Sequence, residues 1–241
     1  MTSLMMTNIQ KLTPDLVERA VPGVVEDDPA AQPLLTDAVM REKLDRFLLE
    51  NPLHEPVLVF GYGSLLWYPE VGLADPVMAT LAGWQRSFCL WQWAYRGSKV
   101  NPGLMLALVP GEHCVGQVFR LEGPTETKPD LAARLWPVWK RELIGNGYVG
   151  RMVEVETSNG PRLALTFIAN TESPRFVHPM PLAEMARLMA VAKGSRGASA
   201  LYLCHTARRC RELGIVDQHL EGLDEAVARL LAARLGEGVP A

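Results

Sequence analysis

Long apolar runs are missing from this 241-residue chain. No segment approaches the roughly 18 apolar residues of a membrane-spanning helix. Met1 to Thr13 lack a basic start and an apolar core, so no signal peptide is expected there and a cytoplasmic location is the default expectation. Basic clusters are missing too. The 24 Lys and Arg residues are scattered against 27 Asp and Glu, for a net charge of −3. Nucleic acid and anionic membranes are therefore not expected as partners. Cysteine is sparse: Cys89, Cys114, Cys204 and Cys210 form no C-x-x-C pair, which argues against a disulfide scaffold. The five histidines make no pair at helical ligand spacing. His113–Cys114 and Cys204–His205 are neighbours whose side chains point apart. No metal and no cofactor are expected. Internal repeats and low-complexity tracts are absent as well.

What remains is an ordinary composition, 48% hydrophobic and 21% charged, with length for one substantial domain plus an appendage. The most informative stretch is residues 57–67. Val57 to Phe60 read as a strand buried on both faces. It runs into Gly61-Tyr62-Gly63-Ser64-Leu65-Leu66. The two glycines allow φ > 0 and close approach of a ligand to the main chain. Ser64 and Leu65 offer N–H groups that can cradle an anion or a developing oxyanion. The competing reading is a tight strand-ending turn. Three known motifs are excluded. Position 66 is Leu, so the third glycine of the dinucleotide fingerprint is missing. Ser64 is flanked at two residues by Tyr62 and Leu66, so there is no nucleophile elbow. No lysine follows, so there is no P-loop.

Residues 1–33 carry Pro14, Pro22, Pro29 and Pro33 with an acidic patch at Glu26-Asp27-Asp28, and read as a linker-like extension. Residues 34–50 show helical periodicity that Asn51-Pro52 ends. The chain thus divides into an extension at 1–50 and a main domain at 51–241. Strands are expected at Met78–Leu81, Ser87–Trp93, Leu104–Val109, Val115–Leu121, Met152–Thr157 and Leu163–Ala169. A helix is expected at 129–144, with Pro137 kinking or splitting it. Further helices are expected at 182–193, 199–213 and about 217–235. Strands first and helices last argue for an α+β fold. Glu154 and Glu156 alternate with Val153 and Val155 and should face solvent. Glu221, Asp224 and Glu225 read as a solvated helix face. The tryptophans read as core and pocket wall.

Several segments, in order, resemble the ChaC-like γ-glutamylcyclotransferases. They are Phe60-Gly61-Tyr62-Gly63-Ser64-Leu65 with Trp67, then Gly83-Trp84-Gln85-Arg86-Ser87-Phe88, Arg96-Gly97 leading to Pro102-Gly103, and Gly116-Gln117-Val118-Phe119. Arg141-Glu142 before Gly147-Tyr148 follows, and then Tyr202-Leu203, Thr206 and Leu213-Gly214-Ile215-Asp217. The resemblance spans about 57 to 231. His205 stands where the family pattern leads one to expect a small polar residue. The resemblance implies a small mixed barrel-like β-sheet with surrounding helices, and 51–241 as the catalytic domain. It also implies cleavage of glutathione to 5-oxoproline and cysteinylglycine without metal or nucleotide.

In that reaction the α-amine of a γ-glutamyl group attacks its own γ-carbonyl, so no enzyme nucleophile is needed. Orienting the two groups is worth about 7–11 kcal/mol in favourable cases. One carboxylate can take the ammonium proton and return a proton to the leaving amine. Glu142 is the candidate. It follows Leu135, Val138 and Trp139 at seven, four and three residues and shares their helix face. An acid on an apolar face is disfavoured as an anion and should gain proton affinity. The competing assignment pairs Glu142 with Lys140 or Arg141, or has it cap a turn. Gly61, Tyr62, Gly63, Ser64, Leu65 and Leu66 are the expected substrate-binding loop. Arg96 could hold a substrate carboxylate, and Tyr148 and Tyr202 are candidates for substrate contact or core. Two alternatives stand beside glutathione turnover: another γ-glutamyl peptide or amine as substrate, or a non-catalytic regulatory protein using the same pocket.

Overall fold

The computed structural model describes residues 11–23, 32, 34–51, 56–69, 72–124, 127–178 and 180–237. The acidic patch at Glu26–Asp28, with Pro29, Pro33 and Pro52, lies outside the described residues.

Five strands close into a barrel in the order β1-β3-β2-β4-β5. β1 is Leu58–Gly61, β2 Leu73–Gln92, β3 Gly103–Leu121, β4 Tyr148–Thr157 and β5 Gly160–Ala169. β1 pairs antiparallel with β3, placing Gly61 opposite Gln117. Closure comes from parallel pairing of Val59 with Leu165 and of Leu108 with Ile168. A two-stranded ribbon, β6 (Lys193–Gly194) with β7 (Gly197–Ala198), lies outside the barrel.

The strand pairs expected on either side of Gly83 and Gly111 are continuous: each pair is one long strand. The reason is a set of register shifts along β2–β3, one of them between Ala82 and Trp84. Gly83 carries this irregularity at φ +78, a conformation glycine adopts at little cost. Glycine here bends a strand instead of ending it.

Among the described residues the helices are α1 (Pro14–Ala20), α2 (Asp37–Glu50), α3 (Lys128–Leu143), α4 (Leu182–Met189), α5 (Ser199–Glu212) and α6 (Gln218–Arg234). α3 runs unbroken through Pro137. Thr127 caps it, its hydroxyl accepting from the Asp130 N–H at 3.3 Å. Its buried stripe is Leu131, Leu135, Val138, Trp139 and Leu143. The Trp139 indole donates to the Met40 carbonyl at 3.0 Å, which joins α3 to α2.

Two further expectations change. The first concerns the proline-containing extension: α1 was not foreseen there, and Leu12, Leu16, Val17, Ala20 and Val21 are buried in the core shared with α5 and α6. Leu16, Val17 and Ala20 make a one-sided apolar stripe too short to register as periodicity. The second concerns Asp224, read as solvated and in fact fully buried. Arg211 reaches it at 3.3 Å and the Leu12 N–H at 3.4 Å. Glu221 and Glu225 are partly buried beside it and pair with Lys11. Glu154 and Glu156 are exposed, as expected.

Candidate active site

The Gly61–Leu66 loop leaves β1 at one end of the barrel and turns through a short 3₁₀ segment, Ser64–Leu66. The Leu66 N–H is taken by the Gly63 carbonyl at 3.0 Å, and the Trp67 and Tyr68 N–H groups by the Ser64 carbonyl at 3.2 and 2.7 Å. Ser64 and Leu65 sit in the first turn, where N–H groups have no intrahelical acceptor.

Three arginines fix the loop. Arg86 Nε donates to the Tyr62 carbonyl at 2.8 Å, Arg141 Nη2 to the Ser64 hydroxyl at 3.0 Å, and Arg209 Nε to the Leu66 carbonyl at 3.0 Å. Arg86 is itself buried, pairs with Asp217 at 3.2 Å and also donates to the Val115 carbonyl. Neither Gly61 nor Gly63 has positive φ, contrary to the expectation from the sequence. Space is the requirement. A Cβ on Gly61 would lie 2.9 Å from both Leu65 Cβ and the Phe119 ring; one on Gly63 would lie 3.3 Å from the Tyr202 hydroxyl.

The loop forms one wall of a small pocket. Tyr62, Gly63, Ser64 and Leu65 line it with Phe60 and Leu106 of the barrel. Glu142, Tyr148, Phe167 and Tyr202 complete it. Glu142 is carried into the pocket by the last turn of α3, with its side chain 13% exposed. Arg141 Nε lies 3.4 Å from Glu142 Oε1. The pairing weighed against a catalytic role therefore occurs, in a residue that also lines the pocket.

The Tyr62 hydroxyl donates to the Phe167 carbonyl at 2.6 Å, and that of Tyr148 to the Leu106 carbonyl at 2.7 Å. Burial pushes the hydroxyl pKa of Tyr62, Tyr148 and Tyr202 above the ordinary tyrosine range, and the negative charge of Glu142 adds to it. All three stay neutral donors near pH 7. Glu142 is the one carboxylate among the described pocket residues.

The remaining predicted site residues are placed differently. Gly61 and Leu66 are buried behind the pocket: Gly61 packs against Leu65 and Phe119, and Leu66 belongs to the core. Arg96 lies in a wider cleft that opens from the pocket and shares Ser64, Glu142, Tyr148 and Tyr202 with it. Its guanidinium sits 5.7 Å from the centre of the Tyr202 ring. His205 stacks on Trp67 with ring centroids 5.1 Å apart, and burial lowers its pKa. Sequence reasoning took Phe60 as a strand and motif residue and not as a pocket wall, and did not single out Leu106 and Phe167, whose only signal is their place on apolar strands. Among the described residues no group of three or more His, Cys, Asp or Glu side chains is placed to hold a metal ion.

The fold and site together are a closed five-stranded barrel with one enclosed carboxylate beside the Gly61–Leu66 loop. The chain's family is identified by comparison. The family model for ChaC-like protein matches residues 57–230, and the chain belongs to this family. The glutathione-specific γ-glutamylcyclotransferase of Escherichia coli is 36% identical over 190 residues, covering 78% of this chain and 80% of that one. The rat glutathione-specific γ-glutamylcyclotransferase 1 is 28% identical over 180 residues, covering 72% and 79%. The crystal structure of the yeast γ-glutamyl cyclotransferase specific to glutathione superposes with a TM-score of 0.62 at 22% identity, covering 73% of this chain and 99% of that one. It shares the fold.

Proposed function

We propose that the protein is a glutathione-specific γ-glutamylcyclotransferase that releases 5-oxoproline and cysteinylglycine, with Glu142 as general acid and base. The observation that carries this reading is the enclosed Glu142, facing the loop from a pocket whose other titratable groups are tyrosines held protonated. The names of the relatives above support glutathione as the substrate.

The γ-glutamyl group lies folded in the small pocket, with its γ-carbonyl oxygen toward the Ser64 and Leu65 N–H groups. Glu142 takes a proton from the α-ammonium. The freed amine forms a bond to the γ-carbon, and negative charge gathers on the oxygen facing the loop. The amide C–N bond then breaks. Glu142 returns its proton to the leaving nitrogen and relays the second proton that the ring nitrogen sheds, so 5-oxoproline leaves with one N–H, cysteinylglycine leaves as its ammonium form and Glu142 ends unprotonated. Tyr62, Tyr148 and Tyr202 shape the cavity, and the loop arginines keep the N–H groups in place. Arg96 contacts substrate in the outer cleft.

Incubation of the pure protein with glutathione should yield both products in equal amounts, with or without chelator. Absence of both at millimolar glutathione would refute the assignment. A panel of γ-glutamyl peptides and amines tests the nearest variant of it, the same reaction on another substrate. The chain's net charge of −3 and scattered basic residues fit a small-molecule substrate and not nucleic acid. No helix among the described residues is long and apolar enough to cross a membrane. Cytoplasmic action on the glutathione pool is part of the proposal.

A further inference from the structure

Buried polar side-chain atoms without a partner are rare in folded proteins, because each costs the hydrogen bonds it made to water. Among the described residues four stand out, and three of them belong to residues that line one cleft: Gln32 Oε1, Gln92 Oε1 and Arg96 Nη1. This is the outer cleft that opens from the Glu142 pocket. The three atoms come from two parts of the chain, Gln32 and the end of β2 with the residues that follow it. Gln92 ends β2. Arg96 follows Tyr95, whose φ of +64 is uncommon for a non-glycine residue. The Arg196 N–H holds the Tyr95 carbonyl at 2.7 Å, and the Arg196 guanidinium lies 4.5 Å from the Tyr95 ring centre. Gln32 belongs to the extension, outside the segment matched by the family model.

The cleft is strongly cationic. Arg96, Lys140, Arg141, Arg175 and Arg196 line it against one carboxylate, Glu142. Arg175 is occupied by the carbonyls of Trp91 and Gly145, at 2.8 and 2.9 Å. One unpaired guanidinium nitrogen is a donor suited to a carboxylate. Two unpaired amide oxygens are acceptors suited to N–H groups. A carboxylate flanked by amide N–H groups is the C-terminal end of a short peptide.

We infer that this wall is a subsite for the departing half of a γ-glutamyl peptide, with Arg96 holding the terminal carboxylate and Gln32 and Gln92 accepting peptide N–H groups. The inference rests on the cyclotransferase reading and adds to it the extension as a source of substrate selectivity. A peptide bound here spans from Glu142 to Gln32. A γ-glutamyl compound without the second peptide bond reaches the loop but leaves the Gln32 oxygen without the Cys–Gly N–H.

The test is steady-state kinetics with glutathione and with γ-glutamylcysteine, which lacks the Cys–Gly amide. Wild type is compared with Gln32→Met and Gln92→Met, both close in size to glutamine, each checked by thermal melting. The ratio of kcat/KM for glutathione to that for γ-glutamylcysteine should fall about tenfold in Gln32→Met, mostly through KM. If Gln92→Met does not fold, Gln32→Met alone decides, since it alters only the extension. An unchanged ratio, or equal losses on both substrates, overturns the subsite while leaving the reaction intact. A wild-type protein that turns over neither substrate overturns the functional reading, and the subsite with it.

Discussion

At the scale of single residues, the loop is specified by crowding. Gly63 lies where its missing side chain leaves room for the Tyr202 hydroxyl and Leu106, 3.3 and 3.5 Å from a Cβ placed there. Gly63→Val should therefore cost about 1–3 kcal/mol of stability by overpacking. It should also raise KM for glutathione at least about tenfold, since its methyl groups enter the pocket. Denaturant melts and initial rates check both; an unchanged KM in a stable variant would contradict the account. The need for glycine was legible in the sequence, but its cause was not, because Tyr202 lies 139 positions away. Helical spacing placed Glu142 on an apolar face, but its choice as the candidate base came from its matching position in the ChaC-like pattern. Gln32 and Gln92 were not legible, since nothing in a local pattern marks a buried amide without a partner.

At the scale of elements, α3 carries the account, because its last turn sets Glu142 in the pocket. Thr127 starts the helix by capping the Asp130 N–H. Removing that oxygen in Thr127→Ala should lower stability by about 1 kcal/mol. Turnover should change little, because Glu142 lies four turns away and is fixed by the packing of Leu135, Val138 and Trp139. Urea midpoints and rates measure the two effects, and a large loss of turnover without loss of stability would contradict this division. Helix positions were readable from periodicity and caps, and α5 and α6 fall within about a residue of expectation. The long β2 and β3 strands were not readable, because glycine at a bulge looks in sequence like glycine in a turn. α1 escaped notice for lack of length.

At the scale of the whole molecule, the extension and the C-terminal helices form one core around Asp224. Burial pushes the Asp224 carboxyl up to about 6, from the roughly 3.9 of an unfolded aspartate. The folded state holds this proton more tightly, so the site's contribution to stability is present below about pH 4 and lost as pH rises through about 6. Asp224→Asn should flatten the dependence between those values. Thermal melts from pH 4 to 8 should show the variant gaining on wild type as pH rises; the reverse trend would contradict the assignment. In the proposed function the barrel, its helices and the arginine-braced loop position one catalytic carboxylate, and Glu142→Gln tests that proposal most directly. The amide keeps the shape but cannot accept the ammonium proton. With native melting and a KM near that of wild type, release of 5-oxoproline from glutathione should fall at least about a hundredfold. A folded Glu142→Gln protein that releases 5-oxoproline at the wild-type rate would contradict the account.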